Sequence, residues 1–464
     1  MNTQDTICAI ATAQGGAIGV IRISGKDAIA ITDRIFTPIG KHPLPLSERK
    51  AYTMAFGHIR QDDGEIIDEV LIGLFKSPHS YTGEDCVEIS CHGSSFILQQ
   101  VMQLLIRKGC RAAGPGEFTQ RAFLNGKMDL SQAEAVADLI ASSSAATHRM
   151  AMNQMRGGFS RELSALRERL LHLTSLMELE LDFSDHEELE FADRSELETI
   201  AGDIEKVISG LVHSFSVGNV LKNGIPVAIV GETNAGKSTL LNTLLNEEKA
   251  IVSDIHGTTR DVIEDTVNLS GITFRFIDTA GIRDTHDTIE NMGIARSFHK
   301  MEQAEIVLWV VDNTCAEAQI RQLSPRILPL CFNKQLIILL NKSDQVSAVP
   351  TKLSGLPENT VTLSISAKEK TGIQELQNLL VKTASVPELT SSDLIVTNVR
   401  HYEALSLALE DIHRVQNGLQ THLSGDLISQ DLRECLFHLA EIVGGEITAD
   451  EVLGNIFMKF CIGK

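Results

Sequence analysis

Two textures alternate along the chain. Up to about residue 120, short apolar and β-branched runs (Ile18–Ile23, Ala51–His58, Glu69–Phe75 and Cys86–Ser90) are separated by turn residues, which predicts strands. Phe96–Arg107 alone carries helical spacing there, so residues 1–120 predict an α+β domain. From residue 121 the period lengthens. Ser131, with Glu134 three positions on, has the form of a capping box and predicts one helix through AEAVADLIASSSAATHRMAM. Phe159, Leu163, Leu166, Leu170, Leu173 and Met177 then recur at alternating spacings of four and three, as do Leu197, Ile200, Ile204, Val207 and Leu211. Such stripes predict long helices packed along apolar seams. The acidic run Asp182–Glu190 between them reads as a solvated connection.

Strand-like runs return between residues 216 and 382, after which Leu405, Leu409 and Ile412, then Leu432, Leu436, Leu439 and Val443, restore helical stripes. Thr448 and Glu451 are placed to cap a last helix. Helices on both flanks predict one discontinuous helical domain, 121–215 with 383–464, into which a compact α/β unit, 216–382, is inserted.

Composition narrows the function classes. With 464 residues the chain has room for two to four cores. No apolar run reaches the ~20 residues that cross a bilayer, and MNTQDTICAIAT lacks a basic leader, which predicts a cytoplasmic protein with no membrane association. Eight cysteines form no CxxC pair, so reduced thiols are expected rather than zinc ligands. Cys91-His92 has no further ligand nearby in sequence, and Gly15-Gly16-Ala17 reads as a turn in preference to a close approach to a cofactor. A formal charge of −20 excludes a generally basic, nucleic-acid-coating surface; RNA has to be held by a local patch or by a partner. Arg121 and Lys127 read as a solvated helix start or as contacts to the carboxylate of a bound ligand rather than RNA contacts.

The candidate chemistry begins at VAIVGETNAGKS, residues 227–238, where a β-branched run breaks at Gly231 and leads into a helix-forming segment. The spacing of Gly231, Gly236, Lys237 and Ser238 is that of a phosphate loop. Glycines let backbone N–H groups curl around phosphate at a helix N-terminus; Asn234, Ala235, Gly236, Lys237, Ser238 and Thr239 are the candidate contacts. Lys237 supplies charge to the β- and γ-phosphates, and the Ser238 hydroxyl is a hard Mg²⁺ ligand. Four more signals follow in order. Thr258 or Thr259, in HGTTRD, can close over Mg²⁺; Asp278, Thr279, Ala280 and Gly281 follow a strand, Asp278 reaching Mg²⁺ through water and the Gly281 N–H facing the γ-phosphate. Asn341, Lys342, Ser343 and Asp344 follow LIILL, and Ser366, Ala367 and Lys368 come later. A carboxylate at Asp344 accepts from the guanine N1–H and 2-amino group, a donor pair adenine lacks. Lys342 lies along the base plane and the 366–368 loop offers a backbone N–H to O6, so the nucleotide is GTP rather than ATP.

One position departs from the Ras-type scheme: Ile282 stands where a glutamine orients the attacking water. Glu290 is the nearest downstream glutamate of the same switch. Charge at the transition state is then met either by Arg260 or Arg283, or by a monovalent cation on the Asn234 carbonyl.

Beyond the G motifs, YTGEDCVEISCHG, PGEFTQRAFLNGKMDLSQAEAVADLI and the terminal FCIGK make the chain resemble the MnmE (TrmE) family of tRNA-modification GTPases over its length. The resemblance implies an N-terminal folate-binding-like α+β domain, a discontinuous helical domain and an inserted Ras-like P-loop G domain. It also implies a homodimer through the N-terminal domains, with a 5-formyltetrahydrofolate or related folate contacted by Arg22, Glu88, Lys127 and Lys464. K⁺ would be ligated by Asn234 and by groups of the loop Ser253, Asp254, Ile255, His256, Gly257 and Thr258, chiefly Ser253, Ile255 and Thr258, while Ser238 and Thr259 hold Mg²⁺. Glu290 matches the family's catalytic carboxylate, and Cys461 a cysteine linked to the modification step. The phosphate loop carries Glu232-Thr233 where the family has Arg-Pro, which bears on its stiffness. The implied activity is GTP hydrolysis that, with the flavin-containing partner MnmG (GidA), installs an aminomethyl or carboxymethylaminomethyl group at C5 of the tRNA wobble uridine. Two other readings compete: a ribosome-assembly GTPase, which predicts a basic RNA-binding appendage that the sequence lacks, and a folate-dependent aminomethyltransferase with a regulatory G domain.

Overall fold

The computed structural model describes residues 5–13, 15–40, 43–182, 194–248, 265–277, 301–346, 356–357, 360–384, 394–445, 460 and 463. The chain divides into two compact units, one of Met1–Ala141, Ala151–Ser209 and Glu403–Lys464, the other of Ser142–Met150 and Gly210–Tyr402.

In the first unit, β1 (Ile7–Ile10), β2 (Ile18–Ser24), β3 (Phe36–Pro38), β4 (Thr53–Arg60), β5 (Ile66–Phe75), β6 (Cys86–His92) and β7 (Arg111–Ala112) form one sheet in the order β3-β4-β5-β6-β2-β1-β7. Only β1 and β7 run parallel. The period of two sorts each strand: Val70, Ile72 and Leu74 of β5 and Val87 and Ile89 of β6 turn inward with Leu98, Val101, Leu104 and Leu105 of the helix Ser95–Arg107 to form the core. The other face leaves Ile18, Met54, Phe56 and Leu71 exposed, and on it Arg22 of β2 stands opposite Glu88 of β6.

The capping prediction is out of register. Ser131 lies inside the helix Leu130–Ala141, and the cap is Asp129, whose Oδ1 accepts from the Gln132 N–H at 2.8 Å while Gln132 Oε1 accepts from the Asp129 N–H at 3.0 Å. Asp-x-x-Gln and Ser-x-x-Glu both satisfy the reciprocal box, and the sequence offers both two residues apart. The expected single helix is two, Leu130–Ala141 and Ala145–Met155, because the serine run stops the first and Ser144 caps the second: its Oγ accepts from the Thr147 N–H at 3.1 Å.

The stripe from Phe159 to Met177 is buried along the helix Gly158–Asp182. In the helix Arg194–Asn223 the buried stripe is Leu197, Ala201, Ile204, Ile208 and Leu211, not the expected one through Ile200 and Val207, which are half-buried. In the helix Gly425–Val443 it is Ile428, Leu432, Cys435, Leu439 and Ile442, leaving Leu436 and Val443 half-buried. A period of 3.6 fits two stripes one residue apart wherever both are apolar, and the packing partner chooses. The run expected as an acidic connection falls, after Asp182, outside the described residues, as do Thr448 and Glu451.

Arg121 corrects both of its expected roles. It is 2% exposed; its Nη2 donates to Asp5 Oδ1 at 2.7 Å and Glu117 Oε1 at 3.1 Å, and its Nη1 to Glu84 Oε1 at 3.1 Å. Arg111 hydrogen-bonds Asp5 and, with Arg121, holds the Asp5 carboxyl below its usual range. For Glu117, burial opposes ionisation, but bonds from Arg111, the Gly114 N–H and Arg121 outweigh it and lower the pKa. These carboxyls titrate lower when folded than when unfolded. Their contribution is therefore complete above the ordinary carboxylate range and is lost as pH falls through the folded values. Arg121→Leu leaves Glu84 without its guanidinium and Asp5 and Glu117 with Arg111 alone, and we expect it to cost about 3–5 kcal/mol in urea unfolding at pH 7, with a shallower acid limb; a loss under about 1 kcal/mol would contradict this.

In the second unit, β8 (Ile225–Val230), β9 (Asp265–Leu269), β10 (Ile272–Phe276), β11 (Ile306–Asp312), β12 (Gln335–Asn341) and β13 (Val361–Ser364) form a sheet ordered β13-β12-β11-β8-β10-β9, parallel except for β9. β11 is buried on both faces, as a central parallel strand must be. Leu308 and Val310 face the helices Lys237–Glu248 and Ile373–Thr383, and Val307, Trp309 and Val311 face the helix Ala316–Ile327. The two units together make the multidomain α/β and α+β architecture expected. Among the described residues no helix is long and apolar enough to cross a membrane.

Candidate nucleotide site

The phosphate loop and the loops after β11 and β12 all leave carboxyl ends of parallel strands, where open α/β sheets bind ligands. Gly231 has φ +146°, and a Cβ there would lie 2.1 Å from the Val310 carbonyl oxygen, so the loop turns hard against β11. Gly236 has φ +97°, and its Cβ would lie 2.1 Å from Asn341 Nδ2. Asn234, exposed, takes φ +66°, which a short polar side chain tolerates. Lys237 opens the helix Lys237–Glu248, and its Nζ donates to the Gly231 and Glu232 carbonyl oxygens at 2.8 and 2.7 Å. That holds the ammonium across the loop. Ser238 follows in the first helical turn, with Thr239 beside it.

Asn341 joins the phosphate loop to the base loops. Its Nδ2 donates to the Ala235 carbonyl oxygen at 2.8 Å, and its Oδ1 accepts from the Ala367 N–H at 3.0 Å; Asn341 is 3% exposed. Thr243 of the phosphate-loop helix donates to the Ala367 carbonyl oxygen at 3.0 Å. Ser366 Oγ donates to Asp344 Oδ1 at 2.6 Å and accepts from the Glu369 N–H at 3.2 Å, while the Ser343 N–H donates to the Ile365 carbonyl oxygen at 3.1 Å. Asp344 is thus aimed by Ser366 with its second oxygen in reserve, and Lys368 is exposed, its Nζ 3.6 Å from Glu369 Oε1. Lys342, at φ +64°, puts its Nζ 2.5 Å from Asp312 Oδ2. Asp312 went unnoticed in the sequence; its only signal is its place at the end of an apolar run.

Glu232 has a structural answer to its departure from Arg-Pro: its Oε2 accepts from Gln319 Nε2 at 2.8 Å. The loop is tied to a neighbouring helix by a side chain instead of being stiffened by a ring. Ser253, Asp254, Ile255, His256, Gly257, Thr258, Thr259, Arg260, Asp278, Thr279, Ala280, Gly281, Ile282, Arg283 and Glu290 lie outside the described residues. Of the expected metal ligands, the structure therefore describes Ser238 for Mg²⁺ and Asn234 for K⁺.

A second constellation sits on the outer face of the seven-stranded sheet. Arg22 Nε and Nη2 donate to Glu88 Oε1 at 2.9 and 2.8 Å, and Nη1 reaches the Gly463 carbonyl oxygen at 3.3 Å. The guanidinium lies 5.3 Å from the Tyr81 ring centroid. Lys127 Nζ donates to the Pro78 carbonyl oxygen at 3.0 Å, so it borders the loop that carries Tyr81. Gly463, at φ +97°, packs so closely that a Cβ would lie 2.6 Å from the Ile10 carbonyl oxygen. The structure brings Arg22, Glu88 and the penultimate residue together, with Lys127 across the loop; Cys461 and Lys464 lie outside the described residues.

Two family models match the chain: GTP-binding protein TrmE N-terminus over residues 6–127 and MnmE helical domain over 130–461. Among curated relatives, the tRNA modification GTPase MnmE of Bacteroides thetaiotaomicron is 66% identical across 99% of this chain and 100% of its own. That of Phocaeicola vulgatus is 63% identical across 100% of both, and that of Flavobacterium johnsoniae 53% identical across 100% of both. With a matched model over most of its length and relatives aligned end to end, the chain belongs to the MnmE family of tRNA modification GTPases.

Proposed function

We propose that this chain hydrolyses GTP and couples hydrolysis to modification of the wobble uridine of tRNA. The observation that carries the reading is the pair of bonds by which Asn341 locks the phosphate loop to the 366–368 loop: one nucleotide has to be held at its phosphates and its base together. Asp344, aimed by Ser366, selects guanine; Lys237 and the loop amides of Asn234–Thr239 hold the phosphates. Ser238 with Thr259 would hold Mg²⁺, and Asn234 with Ser253, Ile255 and Thr258 would hold K⁺; when bound, the two ions neutralise charge building on the phosphates. Asp278 would reach Mg²⁺ through water and the Gly281 N–H would face the γ-phosphate, and Glu290 organises the water.

In the same reading, Arg22, Glu88, Lys127 and Lys464 hold a folate, which supplies a one-carbon unit when bound. A guanidinium paired with a carboxylate beside an aromatic ring offers donors, an acceptor and a flat surface, and so fits a pterin. The exposed apolar strip Ile18, Met54, Phe56 and Leu71 supports a homodimer through this sheet. A chain of charge −20 calls for a partner, MnmG (GidA), to supply much of the tRNA surface. The sequence carries no basic appendage to favour ribosome assembly. The test is mass analysis of tRNA nucleosides from a deletion strain: loss of the C5-modified wobble uridine, restored by the intact gene, is expected, and intact modification would refute the reading.

A further inference from the structure

The two nucleotide loops are joined by a second strap that runs through two residues of no nucleotide motif, Asp312 and Gln319. Asp312 ends β11, and in the parallel ladder it is the register partner of Asn341. Both of its carboxylate oxygens are engaged: Oδ1 accepts from the Thr314 N–H at 3.0 Å and the Thr314 hydroxyl at 2.7 Å, and Oδ2 meets Lys342 Nζ at 2.5 Å. Its backbone is held as well, because its N–H donates to Gln319 Oε1 at 2.9 Å, and the same Gln319 amide donates through Nε2 to Glu232 of the phosphate loop at 2.8 Å. Gln319 is 8% exposed, so water competes little for these bonds.

We infer that Asp312 is a positioning residue of the guanine site, acting through Lys342, and that Gln319 registers Asp312 to the phosphate loop. The argument rests on the GTP-binding reading above. A lysine has four rotatable bonds and one point charge; without a fixed anion its stem has no reason to lie beside the base rather than in water. Asp312 supplies that anion from a strand end, a rigid element, and Thr314 fixes the carboxylate plane. Lys342 is held in the left-handed backbone region at φ +64°, so its direction is set at both ends. Gln319 has a further effect on Glu232: it turns a carboxylate that would otherwise repel phosphate towards the helix Ala316–Ile327. The strap thus carries a displacement of the phosphate loop to the base-recognition loop by a route separate from Asn341.

The test is a double-mutant cycle on the full-length chain, read by displacement of a fluorescent GDP analogue. Asp312→Ala and Lys342→Ala should each weaken GDP by about tenfold, the scale of a lost charge-assisted hydrogen bond. The double variant should be no weaker than Lys342→Ala alone, because Asp312 acts only through that lysine. Asp312→Asn, which keeps an acceptor, should recover part of the loss. Gln319→Met should weaken GDP severalfold while leaving the thermal midpoint near that of the parent chain. Additive losses in the cycle, or Asp312→Ala binding GDP as the parent does, would overturn the inference. If the parent chain itself fails to bind GDP, the GTP-binding reading fails first, and the two failures are distinguishable.

Discussion

Gly236→Ala should abolish useful nucleotide binding while leaving the fold in place. The added Cβ would lie 2.1 Å from Asn341 Nδ2, and the residue would have to keep φ +97°, a conformation that costs an L side chain about 1–3 kcal/mol. The sheet and its two packed helix layers do not depend on this contact. Asn341 does: to escape the methyl group it has to release the Ala235 carbonyl, and Ala367 loses its anchor with it. Strain and the lost bonds together correspond to about a 100-fold weaker affinity. Calorimetric titration with GDP measures it, with circular dichroism as the control for folding. An alanine variant that binds GDP within about threefold of the parent would mean that the two loops are not tied as described.

The second large effect is on chemistry rather than binding. Ile282 occupies the position from which a glutamine would orient water, and a branched alkyl group neither donates nor accepts. On the proposed reading another group of the same switch organises the water, and Glu290 is the nearest downstream glutamate. Glu290→Ala should cut GTP turnover by at least about 100-fold, the scale for loss of a proton-transfer or water-positioning group, and leave GTP affinity near the parent value. Single-turnover measurement separates the two quantities. Retained turnover would remove Glu290 from the mechanism.

Much of this architecture was legible in the sequence because it rests on local rules. The strands of the first sheet follow from alternation, and the phosphate loop from residue types that only its geometry requires: Gly231 and Gly236 both stand where a Cβ would strike a neighbouring strand or side chain. The fold class and the family follow from such motifs. What the sequence did not disclose depends on partners distant in the chain. Arg121 looked like a helix start, yet Asp5 and Glu84, 116 and 37 positions away, make it a buried ion-pair centre. Asp129 and Ser131 satisfied the same capping rule, and only the geometry of Gln132 chose between them. Gln319 had no motif to mark it, because its role is to bridge Glu232 and the Asp312 backbone across the site. The buried stripes near Ile200 and Leu436 slipped by one residue for the reason any 3.6-residue period permits: the neighbouring helix decides.

On the function proposed, Asn341, Asp344, Lys237 and the phosphate loop hold a guanine nucleotide for hydrolysis without an arginine supplied from outside. The most direct measurement is phosphate release by the purified full-length chain with Mg²⁺, comparing GTP with ATP in potassium and in sodium buffer. GTP should be hydrolysed faster in potassium than in sodium, and ATP negligibly in either. Equal hydrolysis of ATP, or GTP turnover indifferent to the monovalent cation, would contradict it.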